Sequence, residues 1–116
     1  MANSSSPRPR NDAERRAARW YRCRAYRVLD TNVWIAGNEL DLVASRGTTV
    51  VFCEVKSKSG DSFGDPLEMV TPEKVRRVRR AAEAWLAVRP QYLGFEVRFD
   101  VIVERAGRLD CVRAAF

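Results

Sequence analysis

From Leu40 to Lys56 the chain runs LDLVASRGTTVVFCEVK, two apolar segments joined by a glycine-bearing turn. Alternation along 49–56 puts Val50, Phe52, Glu54 and Lys56 on one strand face and Val51, Cys53 and Val55 on the other. Such a hairpin restricts the chain severely, because a one-residue slip would carry every side chain to the opposite face. Joined through Ser45-Arg46-Gly47-Thr48, with Ala44 opposite Thr49, the strands set Asp41 against Phe52 and Glu39 against Glu54. Four charged side chains, Glu39, Asp41, Glu54 and Lys56, then share a face of an otherwise apolar hairpin. Charges in such a place are costly to desolvate. They form either a solvated edge or a site.

The surrounding pattern supplies the fold. Residues 1–10 are rich in Ser, Pro and Arg and have nothing to bury, so a disordered basic tail is expected. A helix should begin after Asn11 as N-cap, with Glu14 at the capping-box position and Glu14, Ala17, Ala18 and Tyr21 along one stripe. Strands follow at 27–35, 40–44 and 49–56, then a glycine-bearing loop over 57–70. Thr71-Pro72-Glu73 opens a second helix, as an N-cap followed by proline, and the helix stops near Val88 before Pro90. Val75, Val78, Ala82, Trp85 and Leu86 make its apolar stripe. Arg76, Arg77 and Arg80 lie opposite, and Lys74 falls at the stripe's edge. Strands at 96–104 and 109–113 close the chain. The order implies one α/β domain over 11–116, an αβββαβ core in which the long helix returns a strand to a mixed sheet with flanking helices.

Composition narrows the function classes. A chain of 116 residues with 46% hydrophobic content is enough for one real core. Three cysteines without CxxC spacing and no histidine argue against structural zinc and remove the base that a cysteine hydrolase needs. Neither a signal-peptide pattern nor a run of membrane-spanning length is present, so a cytoplasmic protein without a membrane partner is expected. The net charge of +6 divides unevenly: residues 1–30 carry +5, residues 31–73 carry −4, and residues 74–80 carry +5. An acidic middle between basic segments suits a polyanion grip around a cation site, although solvated arginine faces would give the same totals.

Two close carboxylates on an apolar strand repel each other and lose hydration, and a divalent cation relieves both penalties. A lysine two residues along the same face can then meet a scissile phosphate and its attacking water. An isolated Glu-x-Lys is equally readable as a solvent-facing pair at a strand end. The matching parity of Asp41 is what gives the pattern content.

The Asp…Glu-x-Lys hairpin resembles the PD-(D/E)xK nuclease core of the restriction-endonuclease-like superfamily. The longer string resembles the YraN-like family, bacterial proteins related to archaeal Holliday-junction resolvases. Its motifs appear here as GNELDLV, FCEVKSK, Phe63-Gly64, Val70 to Lys74, RFDV at 98–101 and Ala115-Phe116. The chain departs from the family in Asn38 between Gly37 and Glu39, in Asn11 for a common Gly, and in Lys58 for a common Arg. The resemblance implies Asp41 and Glu54 as ligands of Mg²⁺ or Mn²⁺ and Lys56 as the catalytic lysine. It also implies Glu14 as a further metal-site acid or simply a helix cap, and Glu39 as a ligand or the neighbour of one. Arg98 and Asp100 are expected to pair structurally.

The expectation is therefore a Mg²⁺-dependent endodeoxyribonuclease acting on structured or branched DNA. Phosphates would be held by Lys74, Arg76, Arg77 and Arg80, and a homodimer would match the two-fold symmetry of a junction. Two alternatives stand beside it: a nucleic-acid-binding module that turns nothing over, and an Arg-rich interaction protein with an acidic partner.

Overall fold

Thr71 and Asn11 cap the two helices as their sequences require. The side chain of Asn11 accepts the Glu14 amide and that of Thr71 accepts the Lys74 amide. The computed structural model describes residues 11–58 and 70–116. The tail expected over 1–10 and most of the loop expected over 57–70 lie outside the described residues. The elements are α1 (Asp12–Arg22), β1 (Arg27–Ile35), β2 (Asn38–Arg46), β3 (Thr49–Lys58), α2 (Pro72–Ala87), β4 (Glu96–Arg105) and β5 (Arg108–Val112), with a 3-10 turn at Pro90–Tyr92.

The five strands form one sheet in sequence order. β1, β2 and β3 are an antiparallel meander, β4 returns parallel to β3 after α2, and β5 pairs antiparallel with β4. This is the mixed sheet of a single α/β domain. The helices cover opposite faces. Ala17, Ala18 and Tyr21 of α1 pack with Leu42, Ala44, Val51, Cys53 and Ile102. Val78, Ala81, Ala82 and Trp85 of α2 pack with Val43, Val50, Phe52 and Phe99. β3, in the middle, is apolar on both faces because both are covered.

The hairpin register differs from the expected one. Arg46, not Ala44, stands opposite Thr49, and Ala44 faces Val51. The loop shrinks to Gly47-Thr48, with Gly47 at φ +58 in the first central position that a two-residue hairpin favours for glycine. The shift is two residues, so strand parity survives it over the paired stretch Leu42 to Arg46. Beyond Leu42 the alternation breaks, with Leu40 packing in the α2 layer, so the single face expected for Glu39 and Asp41 with Glu54 is not kept by alternation. The β-strands outrun their expected limits because Ser45 and Arg46, polar enough to resemble a loop, still complete the ladder.

Buried polar groups on the α1 face lock the layers together. Asp100, fully buried, accepts the Tyr21 hydroxyl at 2.6 Å, the guanidinium of Arg98 at 2.9 Å through two nitrogens, and the Ala114 amide at 3.0 Å. The Arg98–Asp100 pairing expected from sequence is present and structural. Burial pushes the Tyr21 phenol far above its ordinary value, which keeps it a donor to Asp100. On the other face Phe116 stacks on Phe99 at 5.0 Å, and Arg79 lies over the Phe99 ring at 5.1 Å.

Candidate active site

β2 and β3 are paired from their hairpin only as far as Leu42 and Cys53, while β2 stays paired with β1 out to Asn38. A fork opens in the sheet at that point, and Asp41 stands in it. Its Oδ2 accepts the main-chain amide of Val55 at 2.9 Å, taking up a ladder donor that β2 no longer serves. The faces change here as well. Leu42 packs toward α1, yet Leu40, two residues away, packs toward α2. β1 follows the same irregularity: between the pairs Thr31–Leu42 and Val33–Leu40, Asn32 adopts φ +51. Asparagine is among the residues that tolerate this left-handed conformation.

Three elements bring carboxylates to the fork. Glu54, on β3, is 3% exposed and points to the α2 face with Val50 and Phe52. Glu14, on α1, is 5% exposed, and its Oε1 accepts Asn32 Nδ2 at 3.0 Å. Asp41 feels both: the charges of Glu54 and Glu14 each push its pKa up. Glu39 raises that of Glu54. Glu14, at the third helical position after the Asn11 cap, therefore turns its side chain toward the fork.

Lys74 is the counter-charge. Its Nζ lies 3.0 Å from Glu54 Oε1, and it lowers the pKa of both Glu54 and Asp41. Burial still outweighs it. Desolvation first, then the charge of Glu54, raises Asp41 from 3.8 to about 7, against the opposing Val55 hydrogen bond. Desolvation also raises Glu54 despite the ion pair. Near neutral pH the pair resists holding two negative charges with a single lysine as counter-charge.

Several side chains separate from this cluster. Lys56 is exposed, two residues beyond Glu54 on the same strand, and therefore on the same face. Arg76, Arg77 and Arg80 are exposed on α2, with Arg77 engaged only loosely by Glu73 at 3.8 Å. Lys74, grouped with these arginines on sequence grounds, belongs by geometry to the carboxylates. Its place at the edge of the apolar stripe was the signal, since an edge position on α2 leans toward the sheet. Asn32 carried no signal beyond its interruption of β1.

A hard cation suits the donors present. Glu54 Oε2 and Asn32 Oδ1 are buried oxygens without a hydrogen-bond partner among the described residues. All the donors are oxygen, the ligand type of Mg²⁺ and Mn²⁺. Among the described residues no three acidic or sulfur side chains form a ready-made cage. Mg²⁺ commonly keeps several waters and takes one or two carboxylates, so Asp41 and Glu54 are a sufficient protein contribution.

The family described as "Uncharacterised protein family UPF0102" matches residues 13–103. The chain belongs to the UPF0102 family. A UPF0102 protein of Mycolicibacterium vanbaalenii is 48% identical over 82 residues, 71% of this chain and 67% of that protein. One from Beutenbergia cavernae is 42% identical over 100 residues, covering 86% of this chain and 84% of the relative. A third, from Acidiphilium cryptum, is 39% identical over 105 residues, 90% and 80% of the two chains. The UPF0102 match spans Glu14, Asn32, Glu39, Asp41, Glu54, Lys56 and Lys74, so every side chain of the fork falls within it. It ends before β5.

Proposed function

We propose that this UPF0102 protein is a metal-dependent phosphodiesterase of the PD-(D/E)xK type, acting on structured or branched DNA in the cytoplasm, as a homodimer. One observation carries the reading: the half-buried Asp41 and the buried Glu54 meet in a sheet fork, and Glu54 stands two residues before the exposed Lys56 on its strand. Burial that raises both carboxylates is a cost that a structural site would avoid and a cation site uses. Asp41 and Glu54 would hold Mg²⁺ or Mn²⁺, with Glu14 and Glu39 as neighbouring acids. When bound, the metal would supply Lewis-acid polarisation of the phosphate and an acidified water. Lys56, exposed near the strand end, would stabilise negative charge developing on the phosphate. Arg76, Arg77 and Arg80 hold the flanking backbone, while Lys74 keeps Glu54 charged and in place.

A cleavage assay on branched, duplex and single-stranded DNA, with Mg²⁺ or Mn²⁺, tests this. Wild type should cut branched substrate only with metal. Asp41→Asn and Glu54→Gln should abolish cutting, and Lys56→Ala should lower turnover while sparing metal binding. A second reading rests on the Lys74–Glu54 ion pair, which lessens the site's charge without any metal. On that reading the protein is a nucleic-acid-binding module. Tight binding of branched DNA with no cleavage under either metal would select it.

No helix among the described residues is long and apolar enough to cross a membrane.

A further inference from the structure

The exposed side of α1 borders a groove of about 510 Å³ against the β4–β5 turn. Arg15, Arg16, Arg19 and Trp20 line it from the helix, Arg24 from the turn that follows, and Leu109 from β5. It lies on the sheet face opposite α2, so the arginines of α2 have no part in it. Its floor has a particular chemistry. The Arg24 guanidinium sits 3.9 Å from the Trp20 ring centroid, and Arg113 approaches the same ring at 5.5 Å. A planar cation laid on an indole is a platform on which a nucleobase can stack, while arginines around it take phosphates.

The groove also leads somewhere. A second hollow of about 410 Å³ shares Asp12 and Arg16 with it and reaches Asn11 and Ser57. Ser57 follows Lys56 directly on β3. From Trp20 to Asn11 is about 14 Å along the helix at 1.5 Å per residue. The two hollows adjoin at Asp12 and Arg16, one at the Trp20–Arg24 platform and the other beside Ser57 at the end of β3. Arg16 is fixed there, donating to the Gly107 carbonyl at 2.8 Å with Glu104 at 3.7 Å. Among the described residues Arg15 pairs with Asp12, a carboxylate that is 83% exposed, and exposed pairs of this kind contribute little and can give way to a phosphate.

We infer that the α1 groove binds a single-stranded segment of nucleic acid, with one base stacked at Trp20–Arg24 and its phosphates on Arg15 and Arg19. A base that stacks on Trp20–Arg24 must be free of a duplex stack, so the occupant that fits this platform is an unpaired strand. The inference rests on the nucleic-acid reading above and sharpens it: the protein would grip an unpaired arm on one sheet face and paired backbone on the other. Binding here is independent of cleavage, so loss of either property leaves the other measurable.

The probe is a fluorescein-labelled oligo-dT bound to the full chain, in EDTA, across a salt series. Arg15→Glu with Arg19→Glu should weaken binding at least tenfold and make the log K against log salt slope shallower by about 1.4, at ~0.7 per lost contact. Arg76→Ala, Arg77→Ala and Arg80→Ala together should change oligo-dT binding less than twofold. Arg24→Lys keeps the charge but not the plane, so it should retain the salt slope and lose discrimination between oligo-dT and its abasic counterpart. Circular dichroism confirms folding of each variant. Unmodified protein gives a readout without substitution, because Cys23 lines the groove and is exposed. Saturating oligo-dT should slow its alkylation several-fold. Absence of oligo-dT binding, unchanged affinity in the double variant, unprotected Cys23, or equal competition by polyglutamate would each overturn the inference.

Discussion

The Asp41 carboxylate accepts the Val55 amide at 2.9 Å, so the side chain that bears a charge of the site also holds the sheet together where its strands part. Structure and chemistry are separable here by choice of substitution. Asp41→Asn removes the charge but keeps an acceptor oxygen, whereas Asp41→Ala removes both. The Asn variant should be the more stable by about 1 kcal/mol, the net worth of one hydrogen bond. Hydrogen exchange at the Val55 amide should remain protected in Asn and become fast in Ala. Equal protection in the two variants would show that the fork is held by something else.

The raised pKa of Asp41 gives stability an inverted pH dependence. In the folded chain the carboxyl titrates near 7, against 3.8 as the ordinary value. A raised folded value means its contribution is fully present below about 4 and is lost as pH climbs through 7. Glu54 acts in the same direction. Without divalent ions, Asp41→Asn should therefore match wild type near pH 4 and exceed it increasingly toward pH 8. Partial exposure of Asp41 reduces the expected gap to roughly 2 kcal/mol, or about 10 °C in Tm. Added Mg²⁺ should raise the wild-type Tm at pH 8 and leave the variant unmoved. Parallel pH profiles for the two proteins would remove the case for a strained carboxylate.

How much of this was legible beforehand follows from what each signal depends on. Strand parity is local, and it placed Glu54 and Lys56 together whatever the neighbours did. The hairpin register differs by two residues because Ser45 and Arg46 look like loop, and an even shift keeps the faces of the paired stretch from Leu42 to Arg46. Beyond it the alternation breaks, since Leu40 and Leu42 pack on opposite layers. Helix caps at Asn11 and Thr71 are short-range hydrogen bonds, so they were readable. The fork was not. It depends on β2 leaving β3 while holding β1, a long-range event marked in sequence only by Asn32 and Asp41. Lys74 was visible as a cation at the edge of a stripe, but its partner is set by how α2 lies on the sheet.

Removing Lys74 should expose the tension it relieves. In Lys74→Met, a near-isosteric change, Glu54 would be a 3% exposed carboxylate without its only ion-pair partner among the described residues. The charge becomes harder to hold, so the Glu54 pKa should rise further and the chain should take up a proton instead of burying the anion. The expected loss is roughly 2 kcal/mol at pH 8, largely recovered below pH 6, as read by urea unfolding. Millimolar Mg²⁺ should also restore stability at pH 8, because a cation ligated by Glu54 replaces the missing charge. Recovery by acid but not by Mg²⁺ would favour the metal-free binding module.

The exposed arginines of α2 offer a test that neither metal nor turnover enters. Arg76, Arg77 and Arg80 project from the helix face opposite Val78, Ala82 and Trp85. Their solvated guanidinium groups suit duplex phosphates, which release counterions when neutralised. Replacing all three by Ala leaves the packed stripe intact and should cost little stability, within about 0.5 kcal/mol per site. Binding to duplex DNA should weaken for every sequence alike. The log K against log salt slope should become shallower by up to about 2.7, at ~0.9 per lost contact. Phosphate contacts carry no sequence information, so a change in sequence preference would point to base contacts instead. An unchanged slope would mean that this face is merely solvated and that duplex binding, if present, lies elsewhere on the molecule.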